Sequence, residues 1–156
     1  MSRHKIVDGI CTFGYGLSYT TFEYSNLKIK PTSSTSTTVT IDIKNTGHRA
    51  GDEVVQLYIK DEHSSVVRPF KEFKRFRRIT LQPGEKKTVT FDLKKDAFAF
   101  YDEKTESWVV EPGDFNVMIG SSSEEIRVSM LLKLQETAHQ ISIFGCLKGI
   151  CTDTEL

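Results

Sequence analysis

The residues that could do chemistry are mostly acidic. Asp102, Glu103, Glu106, Glu111, Asp114, Glu124 and Glu125 crowd into one stretch. Two carboxyls held roughly 5–9.5 Å apart can share acid and base work on a glycosidic bond, and clustered carboxylates can hold calcium. These acids flank Pro, Gly and Ser at turn positions, where such groups ordinarily solvate the surface. The histidines His4, His48, His63 and His139 fall in loops or termini, outside any H-x-E, H-E-x-x-H or H-x-H pattern, and read as surface side chains. Cys146 and Cys151 are spaced C-x4-C with no second pair and with Cys11 left over. That is neither a zinc site nor a disulfide framework. Ser121 to Ser123 lies between two strand-like runs, the wrong setting for a nucleophile elbow. No cofactor is implied.

Two clusters read as contact surfaces. Arg68, Lys71, Lys74, Arg75, Arg77 and Arg78 are interleaved with Phe70, Phe73 and Phe76. A basic run threaded with rings can contact an anionic surface such as nucleic acid. The plainer reading, which we favour, is an edge strand whose cations block edge-to-edge pairing. The second cluster is FGYGLSYTTFEY, Phe13 to Tyr24. Gly14-Tyr15-Gly16 lacks the preceding strand and the third glycine of a phosphate loop. Phe13, Tyr15, Tyr19 and Phe22 instead read as an aromatic docking segment, since an isolated domain rarely exposes so many rings.

These residues must be positioned by strands. Val39, Ile41 and Ile43 alternate with polar residues, as do Val55, Leu57 and Ile59, then Val89, Phe91 and Leu93, then Phe115, Val117 and Ile119. That is the period of a half-buried strand. Phe22 to Lys30 and Ile126 to Leu134 add two more, and Arg68 to Ile79 is expected as an irregular edge strand with a bulge or kink. Gln82-Pro83-Gly84-Glu85 and Glu111-Pro112-Gly113-Asp114 both predict tight turns, Pro presetting φ and Gly accepting the positive φ of a type II turn. Trp108, the only tryptophan, is expected to anchor the core, and Trp108→Ala to cost about 3–5 kcal/mol if so. About seven short, regularly spaced strands predict an all-β sandwich. The division expected is an aromatic linker over 1–21, the sandwich over 22–134, and an extension of unassigned structure over 135–156.

The 156 residues suffice for one domain with a real core, and 21 basic against 21 acidic side chains leave no net charge. That balance argues against a general nucleic-acid binder or a polybasic membrane anchor. No apolar run reaches the roughly 18 residues of a membrane helix. The basic start MSRHKIVDGICTF has too short an apolar stretch for a signal peptide, so a cytoplasmic location is expected for the chain as written. Asn26, Asn45 and Asn116 form no glycosylation sequon.

FGYGLSYTTFEYSNLKI (Phe13 to Ile29), NTGHRAGDEVVQLYIKD (Asn45 to Asp61), RPFKEFKRF (Arg68 to Phe76), LQPGE (Leu81 to Glu85) and WVVEPGDFNVMIGSSSEEI (Trp108 to Ile126) together resemble one family. They resemble the C-terminal fibronectin type III-like domain of family 3 glycoside hydrolases, the β-glucosidases and β-xylosidases, and the junction leading into it. Thr12 stands where that family usually has Pro, and Arg75 where Gly is common; residues 1–12 and the tail after Leu134 carry no recognised motif. The resemblance implies a fibronectin type III-like (immunoglobulin-like) sandwich. It also implies a retaining parent enzyme whose Asp nucleophile and Glu acid/base lie on other domains, so no catalytic residue carries over. The function expected is a non-catalytic stabilising module of a β-glucosidase-like enzyme. Its expected partners are family 3 catalytic domains, or another protein, docked through Phe13 to Tyr24. The alternative is a stand-alone polysaccharide- or protein-binding module. Tyr15→Ser and Phe22→Ser are expected to weaken docking and spare the fold.

Overall fold

The computed structural model describes residues 12–33, 36–137 and 140–147. Their order is β1 (Phe22–Ser33), β2 (Ser36–Asn45), β3 (Gly51–Asp61), β4 (Glu72–Leu81), β5 (Lys86–Lys94), a 3₁₀ turn (Lys95–Phe98), β6 (Phe100–Asp102), β7 (Ser107–Val109), β8 (Gly113–Gly120), β9 (Ile126–Thr137) and β10 (Gln140–Leu147). A three-stranded sheet, β1-β2-β5, faces a five-stranded sheet, β10-β9-β8-β3-β4, and β6-β7 forms a separate ribbon. All pairings between neighbours are antiparallel. This is the expected β-sandwich.

The alternating residues face inward. Ile29, Val39, Ile41, Ile43, Val89, Phe91 and Leu93 from one sheet meet Val55, Leu57, Ile59, Phe115, Val117, Ile119, Leu132 and Leu134 from the other. Removing these side chains from water is worth about 1.5–3 kcal/mol each for the larger ones, which is why strand register here follows the apolar pattern. Phe98, delivered by the 3₁₀ turn, plugs the core edge-on to Phe115 at 5.2 Å.

Several expectations are corrected. Trp108 is 73% exposed and contributes nothing to the core. It sits opposite Tyr101 on the β6-β7 ribbon, whose inward position is taken by the buried Phe100. Glu111 to Asp114 is no hairpin turn. β8 pairs with β3 and β9 on its two sides, leaving β7 only β6 as a partner, and Gly113 has no positive φ. Gln82 to Glu85 is the turn expected, with Gly84 at φ +75° and the Glu85 N–H donating to the Gln82 carbonyl at 3.0 Å. The short ribbon and β10 raise the count above seven strands. β10 comes from the stretch left unassigned and pairs along β9.

β4 is the edge strand expected, with its bulge. Leu57 pairs with Arg75 but Tyr58 with Phe73, so Lys74 is the extra residue. The bulge explains how a spacing of three, which could also fit a helix face, arises in a strand. Phe73 and Phe76 share the outer face, stacked at 6.2 Å, while Ile79 turns inward onto the core.

Candidate interaction surface

In β3 both faces are buried over Val55 to Ile59. The inner face meets the opposite sheet. The outer residues Gln56 and Tyr58 are covered by the segment before β1. The Ser123 N–H donates to the Phe13 carbonyl at 2.9 Å, and the Phe13 ring meets Phe73 edge-on at 5.3 Å. Gly14, at φ +77°, lies so close over the Gln56 amide that a Cβ there would collide with it. Beneath, the Tyr58 hydroxyl donates to Gln56 Oε1 at 2.5 Å and Gln56 Nε2 to the Ser121 carbonyl at 2.9 Å. Burial raises the Tyr58 phenol above its ordinary value, so it stays a neutral donor.

The segment then runs toward β1. Thr20 Oγ1 donates to Asn45 Oδ1 at 2.7 Å, and the Thr46 N–H to the Thr21 carbonyl at 2.9 Å. Buried Asn45 also donates to the carbonyls of Arg49 and Leu81, so one side chain ties the segment, the β2-β3 loop and the end of β4 together. Between these tethers Leu17 and Tyr19 stand out from the surface, Tyr19 at 92% exposure. Leu17, Ser18 and Tyr19 form one wall of a groove of about 430 Å³, with Ala50, Gly51, Asp52 and Thr80 opposite.

The result is a ladder of rings across the outer face: Phe13, Phe73 and Phe76, with Tyr58 beneath Phe73 at 5.4 Å. Phe13, Phe73, Phe76 and Val54 are exposed. Of the expected docking residues, Phe13 and Tyr15 lie on the segment that crosses this face and Tyr19 projects beside the groove. Phe22 does not join them: it opens β1 opposite Asn45 and packs against the core. Phe73 and Phe76 also lie on this surface, although their charged neighbours make them read as part of a basic run; the spacing of three is the signal that sets them apart.

The basic run does not form one surface. Arg68 is 7% exposed and bridges Asp61 at 3.1 Å and Glu72 at 2.7 Å, also donating to the Phe98 carbonyl. Lys74 pairs with Glu72 at 2.6 Å. Burial alone would raise the Glu72 carboxyl, but the Lys74 and Arg68 hydrogen bonds and charges outweigh it and hold the group below its ordinary value. Lys71 donates to the Ser123 carbonyl beside the Tyr58 ring, Arg75 to the Lys74 carbonyl, and Arg78 pairs with Asp52. Arg77 sits in register with Val55.

Of the acids, Glu103, Glu106 and Glu124 are exposed, Asp114 Oδ1 is buried without a hydrogen-bond partner among the described residues, and three others are engaged locally. Asp102 accepts from the Lys104 N–H and Thr105, Glu111 from Ser65, and Glu125 from Ser121 and Arg127. Asp114 lies 3.9 Å from Lys133. His48 and His63 are exposed, while His4, His139, Cys11 and Cys151 lie outside the described residues. No group of three or more His, Cys, Asp or Glu suited to a metal occurs among the described residues.

Residues 53–123 match the model of the fibronectin type III-like domain. The chain is 46% identical over 159 aligned positions to thermostable beta-glucosidase B of Acetivibrio thermocellus, an alignment covering 96% of this chain and 21% of that protein. It is 48% identical over 130 positions to beta-glucosidase BoGH3A of Bacteroides ovatus, covering 79% and 17%. The crystal structure of the Kluyveromyces marxianus beta-glucosidase superposes with a TM-score of 0.74 at 44% identity, covering 80% of this chain and 15% of that one. The first alignment reaches beyond the motifs of residues 13–134 into the flanks. The chain spans about a fifth of the length of these curated relatives.

Proposed function

The chain belongs to the fibronectin type III-like domains of family 3 glycoside hydrolases, and on that premise we propose that it is a non-catalytic module that packs on the catalytic part of a β-glucosidase-like enzyme and stabilises it. The matched region is not the catalytic domain of those enzymes. The observation that carries the proposal is the ring ladder of Phe13, Phe73 and Phe76 on the outer face of the five-stranded sheet. Exposed Val54, Leu17 and Tyr19 extend it along the covering segment and the groove. A contiguous apolar patch of this kind on a domain of this size marks a protein contact. Aromatic side chains are the usual anchors of such contacts. The polar network beneath fixes the rings in place, which lowers the ordering cost of association.

The test is to add this chain to a family 3 β-glucosidase truncated to its catalytic part and follow heat inactivation on a chromogenic β-glucoside. The chain is expected to slow inactivation, and a Phe13→Ser, Phe76→Ser double variant with an unchanged melt to lose that effect. Turnover by the purified chain alone would overturn the non-catalytic reading. Equal protection by wild type and double variant would remove the ring ladder from the interface.

A further inference from the structure

The row of rings on the outer face does not end at Phe73. Gln56, Tyr58 and Lys60 share that face of β3. Phe76 pairs with Gln56 and Phe73 with Tyr58, and Lys60 Nζ lies 4.9 Å over the Phe70 ring. Phe70, 70% exposed, therefore continues the row off the end of β4 into the β3-β4 loop. Exposed Val66 and Val67 stand further along that loop. The loop is held in place: Arg68 ties its two ends, Asp61 and Glu72, and Ser65 Oγ donates to Glu111 at 2.5 Å. Charge along this strand is one-sided. Asp52 pairs with Arg78, Asp61 and Glu72 with Arg68, Glu72 also with Lys74, and Glu62 with Lys60, while buried Glu53 accepts from Tyr24. Arg75 and Arg77 are left with no ion pair among the described residues. They pair with the inward Leu57 and Val55, so they leave β4 on the side away from Phe73 and Phe76, yet both are exposed. The free edge of β4 thus has rings on one side and uncompensated guanidinium groups on the other.

We propose that the catalytic part of the enzyme grips this edge, with a surface that is apolar where it covers Phe70, Phe73 and Phe76 and carries carboxylates where it meets Arg75 and Arg77. The inference rests on the reading of the chain as a module packed on that part, and it names the chemistry of the contact. Size requires an extension. Aromatic side chains bury about 150–250 Å² each, so the partly exposed Phe13, Phe73 and Phe76 offer on the order of 300 Å². A stable protein interface takes about 800 Å² per partner, so a contact of that size runs on past the ladder, and Phe70 and the loop continue it at one end. Charge selects the occupant. A guanidinium covered by a partner needs an anion beside it, and its planar fork matches a carboxylate. A neutral polysaccharide supplies none. A second copy meeting this edge about a two-fold axis would set the same arginines against each other. Strand addition is also disfavoured: the Lys74 and Thr80 carbonyls already accept from Arg75 and Lys87, and the bulge at Lys74 interrupts the edge.

Binding of the full chain to a family 3 β-glucosidase truncated to its catalytic part is measured by calorimetry at about 0.05 M and about 0.5 M NaCl. The wild type is expected to bind about fivefold or more tightly at the lower salt, where exposed pairs are less screened. An Arg75→Glu, Arg77→Glu variant is expected to bind about tenfold or more weakly at the lower salt and to lose that salt dependence. Lys28→Glu, Lys30→Glu makes the same charge change at exposed positions of β1 and is expected to stay within about twofold of wild type. Phe70→Ser is expected to weaken binding about fivefold or more at both salts, with an unchanged melting temperature. Wild-type affinity in the arginine variant, or an equal loss in the lysine variant, overturns the acidic surface. Undiminished binding by Phe70→Ser overturns the extension through the loop. In each of these cases the module still packs on the catalytic part. Absence of wild-type binding at both salts overturns that reading and this inference with it. Saturable binding of polygalacturonate, an acidic polysaccharide, in place of the catalytic part would assign the edge to a polyanion and equally overturn the proposal.

Discussion

Truncating Arg68 to alanine would leave the carboxylates of Asp61 and Glu72 without their shared cation. Breaking a buried pair from one side costs about 3–5 kcal/mol, because the remaining charge is stranded. Arg68→Ala is expected to lose that much in urea unfolding, whereas Arg78→Ala, at an exposed pair with Asp52, should change stability by less than about 1 kcal/mol. Phe22 and Trp108 make a second contrast. Phe22 packs on the core, so Phe22→Ser is expected to lower stability by about 2–4 kcal/mol, while Trp108→Ala on the exposed ribbon should stay within about 0.5 kcal/mol. Glu53 adds a pH dependence. It is buried and accepts the Tyr24 hydroxyl at 2.6 Å. Burial raises its carboxyl, partly opposed by the Tyr24 hydrogen bond and the Arg127 charge. The native state therefore holds this proton more tightly than the unfolded chain. The resulting penalty is absent below the ordinary carboxylate pKa and grows as pH rises through the raised native value. Asp42 runs the other way. Hydrogen bonds from Thr88 and Asn26 hold it at about 2, so its contribution is present at neutral pH and lost as pH falls toward that value. Glu53→Gln keeps the acceptor for Tyr24 and removes the charge. Its stability relative to wild type should increase from about pH 4 to pH 7. A difference that stays flat across that range would mean Glu53 is as well solvated folded as unfolded.

Two Pro-Gly tetrapeptides show what an element owes to its neighbours. In Gln82 to Glu85, Gly84 sits at φ +75°, where a Cβ costs about 1–2 kcal/mol. In Glu111 to Asp114, Gly113 has no positive φ and open space where a Cβ would go. Gly84→Ala is expected to lower the melting temperature, and Gly113→Ala to leave it within error of wild type. Equal effects would place both turns in one conformation. The same local chemistry takes two outcomes because β3 and β9 already claim both edges of β8, which four residues cannot encode. Alternation worked wherever one face meets the core, as at Val39, Ile41 and Ile43 or Phe115, Val117 and Ile119. It missed the buried outer positions Gln56 and Tyr58 because their cover arrives from Phe13 and Gly14, some forty residues earlier. It misplaced Trp108 because size and apolarity say nothing about which face of a two-stranded ribbon has a neighbour. The rings of the candidate surface were half legible: those of the covering segment stood out by crowding, whereas Phe73 and Phe76 come together only through the bulge at Lys74.

For the molecule as a whole, the open question is whether the covering segment is part of the sandwich or a strap laid over it. Its tethers are local and polar: Phe13 to Ser123, Thr20 to Asn45 and Thr21 to Thr46. Phe13 adds an edge-on ring contact with Phe73. None of its residues before Phe22 belongs to the core, whose members come from both sheets and the 3₁₀ turn. Tolerance of a truncation follows from the burial and hydrogen bonding of what is removed, so a chain beginning at Thr20 should still fold cooperatively. Thr20 and Thr21 keep Asn45 and Thr46 partnered in that chain. Its losses include the Phe13–Ser123 backbone hydrogen bond, the Thr20 N–H bond to Ser18 Oγ, a ring pair worth about 0.5–1.5 kcal/mol, and the lid over Gln56 and Tyr58. A drop of about 1–3 kcal/mol is expected, with the Tyr58 ring newly open to solvent. Protection of the truncated catalytic enzyme should vanish in the same variant, because Phe13, Leu17 and Tyr19 leave with the segment. Cooperative unfolding retained while protection is lost would separate the strap's two roles, cover and contact. Collapse of the shortened chain to an unfolded state would instead make residues before Phe22 an integral part of the domain and move its boundary toward the N-terminus.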